Sequence, residues 1–203
     1  MTLFNALINT IKHILHSIKL SRYDRFTISE YFRKQGAQIG QKCSIIPRAL
    51  GTEPYLVKIG NNVTIANGVK FNTRDDSACF FRKEIPDIHV FGAIVIEDNC
   101  VIGRDSILFP NITIGENSIV GARSVVVTDI PPNSIVIGVS ARPFGSIQKY
   151  REKCVAKWRE QKPPNCLIEE GSDWWHSKHY EENRKKLKLH LVNLFWGQSK
   201  INE

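Results

Sequence analysis

Residues 96–126 read IEDNCVIGRDSILFPNITIGENSIVGARSVV, and within them Ile96, Ile102, Leu108, Ile114, Val120 and Val126 fall six apart without a break. Glycine often follows the aliphatic residue, as at Ile102-Gly103, Ile114-Gly115 and Val120-Gly121. Cys100, Ser106, Ile112, Ser118 and Ser124 sit four positions after it. A fixed period of this kind is the signature of a parallel β-helix, in which each short flat strand buries its aliphatic residue and turns through a small one. An amphipathic helix needs apolar residues at three- and four-residue spacing, and polar Asp98, Asn99, Glu116 and Asn117 occupy those positions here. The helical reading fails.

Moving outward, the same register holds at Ile59-Gly60, Ile65-Ala66 and Phe71, and more faintly at Ile39-Gly40 and Ile45. Three hexapeptides make one coil of about eighteen residues, so Ile59 to Asp76, Ile96 to Thr113 and Ile114 to Pro131 each read as a turn. Gly51-Thr52-Glu53-Pro54 is a small interruption between the first, weaker coil and the second. Between Asp76 and Ala93 the period is lost, and a loop longer than about 12 residues in a compact domain is commonly functional. Phe4, Leu7, Ile8, Ile11, Ile14, Leu15 and Ile18 make Leu3 to Leu20 an amphipathic helix, expected to cap the open end of the coil, with membrane-surface contact as the alternative. Residues 22–35 read as its continuation. After Asp129-Ile130-Pro131-Pro132-Asn133-Ser134 closes the coils, residues 146–160 and 177–196 read as helices around a Pro163-Pro164 break. The expected division is a helical cap over 1–36, a β-helix over 37–145 with an ejected loop over 77–93, and a helical extension over 146–203.

The net charge of +8 on 203 residues is unevenly placed. The regular repeats are acidic, while Lys12, Lys19, Arg22, Arg25, Arg33 and Lys34 gather at one end and Arg142 through Arg159 with Arg184, Lys185, Lys186 and Lys188 at the other. No nucleic-acid motif accompanies these residues, and they alternate with acids on helices, which is the pattern of solvated faces. Five cysteines at 43, 79, 100, 154 and 166 show no metal-ligand spacing, so no metal is expected. An odd number without a signal peptide favours reduced thiols in the cytoplasm, with Cys43 and Cys100 in packing roles. Asn5, Asn9, Lys12, His13 and His16 interrupt the first apolar stretch, which therefore reads as neither a signal sequence nor a membrane span.

From about Tyr31 to Ile147 the chain resembles the hexapeptide-repeat (left-handed β-helix) acyltransferases, and within them the capsular-polysaccharide and lipopolysaccharide O-acetyltransferases. The resemblance rests on Glu53-Pro54-Tyr55-Leu56, Ile59-Gly60-Asn61-Asn62-Val63-Thr64-Ile65, Val90-Phe91-Gly92, the repeats at 96–127, and the exit Asp129 to Ser134 followed by Gly138-Val139-Ser140-Ala141-Arg142-Pro143. It implies a homotrimer with sites between subunits, acetyl-coenzyme A along the coils as cosubstrate, and a histidine that deprotonates a saccharide hydroxyl on a free, nucleotide-linked or lipid-linked sugar. Such a base must titrate near neutral pH and reach the hydroxyl.

The resemblance breaks where the chemistry is expected. Similar proteins read Thr-His-Asp at the start of the long loop; this chain reads Thr73-Arg74-Asp75. A guanidinium stays protonated and has no acceptor, so Arg74 cannot be the base. Asp75 holds the position that orients the missing imidazole, His89 is the nearest substitute in sequence, and Asp75 or Asp76 could act only with a raised pKa. For the cofactor, the resemblance points to Gly121, Ala122, Ser140, Ala141 and Arg142, with Arg142 or Lys149 at a phosphate; the small residues also suit tight turns. Trp174-Trp175 with His176 and His179 is read as packing of a terminal helix, with sugar contact as the sharper alternative. Two competing functions stay open: a catalytically silent sugar- or coenzyme A-binding relative, and an N-acyltransferase on an amino sugar, whose neutral amine needs a weaker base.

Overall fold

The six-residue register closes into a three-sided coil. In the computed structural model, which describes residues 3–164 and 177–197, strands of two to four residues stack in parallel. One face stacks Gln38–Ile39, Val57–Ile59, Ile94–Ile96 and Ile112–Ile114. A second carries Ser44–Ile45, Thr64–Ile65, Val101–Ile102, Ile119–Val120 and Ser134–Ile137, and ends on the antiparallel strand Arg142–Ser146. The third is Lys70–Phe71, Ile107–Leu108 and Val125–Val126. This is the left-handed parallel β-helix of the hexapeptide-repeat type.

Register explains the core. Ile59, Ile96 and Ile114 stack directly over one another, as do Ile65, Ile102, Val120 and Val136, and Phe71, Leu108 and Val126. All are buried, whereas their strand neighbours Lys58, Thr64 and Lys70 point outward with the period of two that a strand imposes. Where the hexapeptides supply a small polar residue, its side chain staples one coil to the next: Cys43 Sγ lies 3.1 Å from the Gly60 carbonyl, Cys100 Sγ 3.2 Å from that of Gly115, and Ser106 Oγ donates to that of Gly121 at 3.0 Å. Burial pushes both of these thiols up, as their packing role requires. At one corner Asn62, Asn99, Asn117 and Asn133 all take left-handed backbone, which asparagine tolerates. Each side-chain amide of the first three donates to the next at 3.0 to 3.2 Å, forming a ladder along the axis.

The N-terminal cap differs from the expectation. The helix α1 (Leu3–Ser21) forms, but Leu7, Ile11, Ile14, Leu15 and Ile18 are exposed, and of its described side chains only Leu20 at the end joins the core. Capping falls instead to the short α2 (Ile28–Arg33), whose Ile28, Tyr31 and Phe32 are buried against the first coil. Residues 22–35 do not continue α1, because Asp24 Oδ1 accepts from the backbone N–H groups of Thr27 and Phe26 at 2.9 Å each and fixes a turn. Those bonds, the one from Thr27 foremost, hold the Asp24 carboxyl below its usual range.

Two compact units divide after Ile147, two residues past the expected start of the helical extension. The second contains all but the first residue of α3 (Ile147–Gln161), which buries no residue, and α4 (Tyr180–Trp196). No described helix is long and apolar enough to cross a membrane. Trp174, Trp175, His176 and Cys166 lie outside the described residues; His179 stands at the start of α4, with Nδ1 3.7 Å from Glu182.

Candidate active site

The coil is interrupted just after its third face. Asn72 still donates to the Leu108 carbonyl at 2.9 Å, and then Arg74–Asp75 leaves the helix and pairs antiparallel with Val90–Phe91. A short 3₁₀ segment, Asp76–Phe81, begins the excursion, and Gly92 returns the chain by donating to Thr73 at 2.9 Å. The interruption at 51–54 lies against this exit. Gly51 has φ +76, and a Cβ there would meet the Phe71 carbonyl at 2.7 Å and Thr73 Oγ1 at 2.9 Å, so only glycine lets the two segments approach.

That approach buries a carboxylate. Glu53 Oε2 accepts from Thr73 Oγ1 at 2.6 Å and Thr52 Oγ1 at 2.5 Å, while Oε1 lies 3.8 Å from the Arg74 guanidinium. Arg74 Nε also donates to Asp76 at 2.7 Å. Burial by itself raises the Glu53 carboxyl, but the two hydroxyls and the Arg74 charge outweigh it and hold the group below the usual carboxylate range. Asp75 is likewise held low, first by the Ser77 hydroxyl and then by the Ser77 backbone N–H, to which its Oδ1 is bound as the cap of the 3₁₀ segment. Neither carboxylate is tuned as a base near neutral pH.

An open cleft of about 1430 Å³ lies beside these residues, lined by Arg74 to Ser77, by Lys70, Asn72 and Asn111, and by the last turn of α1. Arg74 and Asp75 are thus brought together, but His89 is not among the lining residues. It sits exposed just before the returning strand, its ring stacked on Phe91 at 6.0 Å, and Phe91 is the cross-strand partner of Arg74. His89 Nδ1 lies 3.0 Å from the Asp87 carbonyl. Donation from Nδ1 is the tautomer that leaves the Nε2 lone pair open.

From the cleft, outward residues of the third face run up the coil. Lys70 pairs with Ile107, Ile107 with Val125, and Val125 bridges to Val139. Three steps of about 4.8 Å give a strip of about 14 Å. The cofactor candidates lie at its upper end, away from the cleft. Ala141 is buried and donates to Val125 at 2.7 Å, Ser140 is half-buried, and Arg142 is exposed on the closing strand. Gly121 is explained by packing, since a Cβ there would meet Ile137 Cγ2 at 2.3 Å; Ala122 beside it is exposed. No cluster of three or more metal-ligating side chains occurs among the described residues.

No family model matches the chain. It is 40% identical over 166 residues to Protein CapG of Staphylococcus aureus, covering 80% of this chain and 86% of that one. Galactoside O-acetyltransferase of Escherichia coli is 37% identical over 95 residues, 47% of this chain and 46% of that protein. Among solved structures, a galactoside acetyltransferase in complex with coenzyme A aligns at a TM-score of 0.48 and 25% identity, over 61% of this chain and 72% of the other.

Proposed function

The chain belongs to the hexapeptide-repeat acetyltransferase family, and we propose that it transfers the acetyl group of acetyl-coenzyme A to a hydroxyl of a saccharide in surface-polysaccharide synthesis. The observation that carries this reading is that Arg74 and Asp75, at the family's catalytic position by resemblance, line an open cleft at the foot of the strip that leads to Arg142. The thioester lies in the cleft, the pantetheine arm follows Ile107 and Val125, and Arg142, exposed on the closing strand, meets a phosphate. The compartment is the cytoplasm, which keeps free thiols such as Cys79 and Cys154 reduced.

Transfer to a hydroxyl needs a proton acceptor. The hydroxyl oxygen attacks the thioester carbonyl, its proton passes to the base, the C–S bond breaks as the tetrahedral intermediate collapses, and coenzyme A leaves as thiolate to be reprotonated. Arg74 only donates, Glu53 and Asp75 are held as carboxylates, and no histidine is among the described residues that line the cleft. We assign the base to His89 Nε2, presented from the exposed ribbon to the cleft of a neighbouring copy in a homotrimer. Phe80, 83% exposed, and the exposed Phe81 and Phe91 on the same excursion supply apolar surface for that contact. Arg74, fixed by Glu53 and Asp76, serves as a donor to the acceptor sugar or its anionic group.

The same guanidinium supports a second reading, an amino-sugar acceptor whose neutral amine attacks without a strong base. Incubation with labelled acetyl-coenzyme A and paired hydroxyl- and amino-saccharides, read by mass spectrometry, decides between them. O-acetylated product supports the first, N-acetylated product alone supports the second, and binding without product identifies a silent relative.

A further inference from the structure

The first helix carries an apolar stripe that the rest of the first unit leaves uncovered. Leu7, Ile11, Ile14, Leu15 and Ile18 are between 47% and 60% exposed. At about 100° per residue they fall within an arc of about 100°. Leu20, two positions after Ile18 and so about 200° further round, is the residue buried against the coil. The helix is therefore attached by its opposite side and turns its greasy side away. Its end is pinned there, because Arg48 donates to the carbonyls of Leu20 at 3.1 Å and Tyr23 at 2.9 Å.

Charge selects the occupant. Residues 3–21 contain Lys12 and Lys19 and no Asp or Glu, and Arg22 follows at once. Asp24, the next acid, is spent on its own turn. An apolar stripe on a purely cationic helix, too polar overall to span a bilayer, is the construction of a helix that lies in the plane of an anionic membrane surface. A protein groove would be served by the stripe alone and gives no reason for the absence of acids.

We propose that α1 docks the protein on an anionic lipid bilayer, with Leu7, Ile11, Ile14, Leu15 and Ile18 in the acyl-headgroup boundary and Arg22 among the headgroups, while Lys19, whose Nζ lies 5.4 Å from the Tyr31 ring centroid, adds its charge from the side of the helix. Ser17, Leu20 and Ser21, on the last turn of this helix, line the cleft. Docking thus holds the cleft within about one helix diameter, roughly 10 Å, of the headgroups, where a saccharide anchored in the membrane presents its hydroxyls.

The proposal stands whether or not the cleft transfers acetyl groups, and its test needs no turnover. The full chain is sedimented with vesicles of phosphatidylcholine alone and with 30% phosphatidylglycerol. The expected result is pelleting with the anionic vesicles, weakened by salt, and a fall in partition of at least about tenfold in the double variant Ile11→Glu/Leu15→Glu. Both positions are exposed, and circular dichroism checks that the variant is folded; should it not be, the contrast between the two vesicle compositions and the salt dependence decide. No pelleting, equal pelleting on neutral vesicles, or a folded variant that binds like the parent overturns the proposal. If the parent ignores vesicles while the variant changes oligomeric state in light scattering, the stripe is a self-association surface and the proposal also fails.

Discussion

The coils between Ile94 and Ile137 and the ribbon between Arg74 and Phe91 belong to the same unit but hold themselves together by opposite means. In the coils every element repeats: buried aliphatics stack in register, small polar residues staple adjacent coils, and asparagines form a ladder at one corner. In the ribbon a two-residue antiparallel pairing, the buried Glu53 carboxylate at its root and local contacts such as Arg74–Asp76 and Asp75–Ser77 do the holding, while Phe80, Phe81 and Val90 stand in solvent. Repetition holds the coil rigid, and the cleft proposed for the chemistry opens where repetition stops.

The sharpest way to break the comparison is to strike the coil. Ile114→Asp places an unpaired charge among fully buried aliphatics and is expected to cost about 4–5 kcal/mol or more, enough to unfold the protein. A cooperative thermal transition near that of the parent would contradict the stacked core. The ribbon answers differently. His89→Ala, at an exposed position, leaves the melting transition in place but lowers acetyl transfer by about 10²–10⁴-fold.

Two smaller effects sharpen the contrast. Arg142→Ala is expected to weaken coenzyme A binding by about 1.5–3 kcal/mol with no change in melting; unchanged affinity in calorimetry removes Arg142 from the site. Glu53→Gln tests the junction between coil and ribbon, and a loss of about 1–3 kcal/mol is expected. Because the folded Glu53 carboxyl lies below its ordinary value, its contribution is complete above that ordinary value, near pH 4.3, and is lost as pH falls through the folded one. Stability measured against pH should therefore fall less steeply on the acid side in Glu53→Gln than in the parent. Parallel acid limbs would show that the Thr52, Thr73 and Arg74 contacts do not stabilise the ionised form.

What was legible in the sequence follows the same division. Six-residue spacing encodes both burial and register, so the sequence alone assigns Ile59, Ile96 and Ile114 to the starts of successive coils. The role of α1 was not legible. Its periodic Leu7, Ile11 and Ile18 mark an apolar stripe, but periodicity carries no information about what the stripe meets, and capping went to Ile28, Tyr31 and Phe32 instead. Glu53 was visible only as part of a resembling motif, because its partner Thr73 lies twenty positions away and the contact depends on Gly51. The asparagine ladder does have a sequence signal: each asparagine follows an aliphatic core residue by three, as at Ile59-Asn62, Ile96-Asn99 and Ile114-Asn117. Arg74 and Asp75 were placed at the site by resemblance, and the structure brings both to the cleft; their engagement with Glu53, Asp76 and Ser77 could come only from the fold.

The central claim is that this chain transfers acetyl groups with His89 as base while Arg74 occupies the position where the family resemblance expects histidine. It is tested most directly by measuring acetyl transfer to a hydroxyl acceptor by the parent, His89→Ala and Arg74→His proteins side by side. The account predicts turnover by the parent, a loss of about 10²–10⁴-fold in His89→Ala, and little change in Arg74→His. An inert parent in which Arg74→His creates turnover would contradict it.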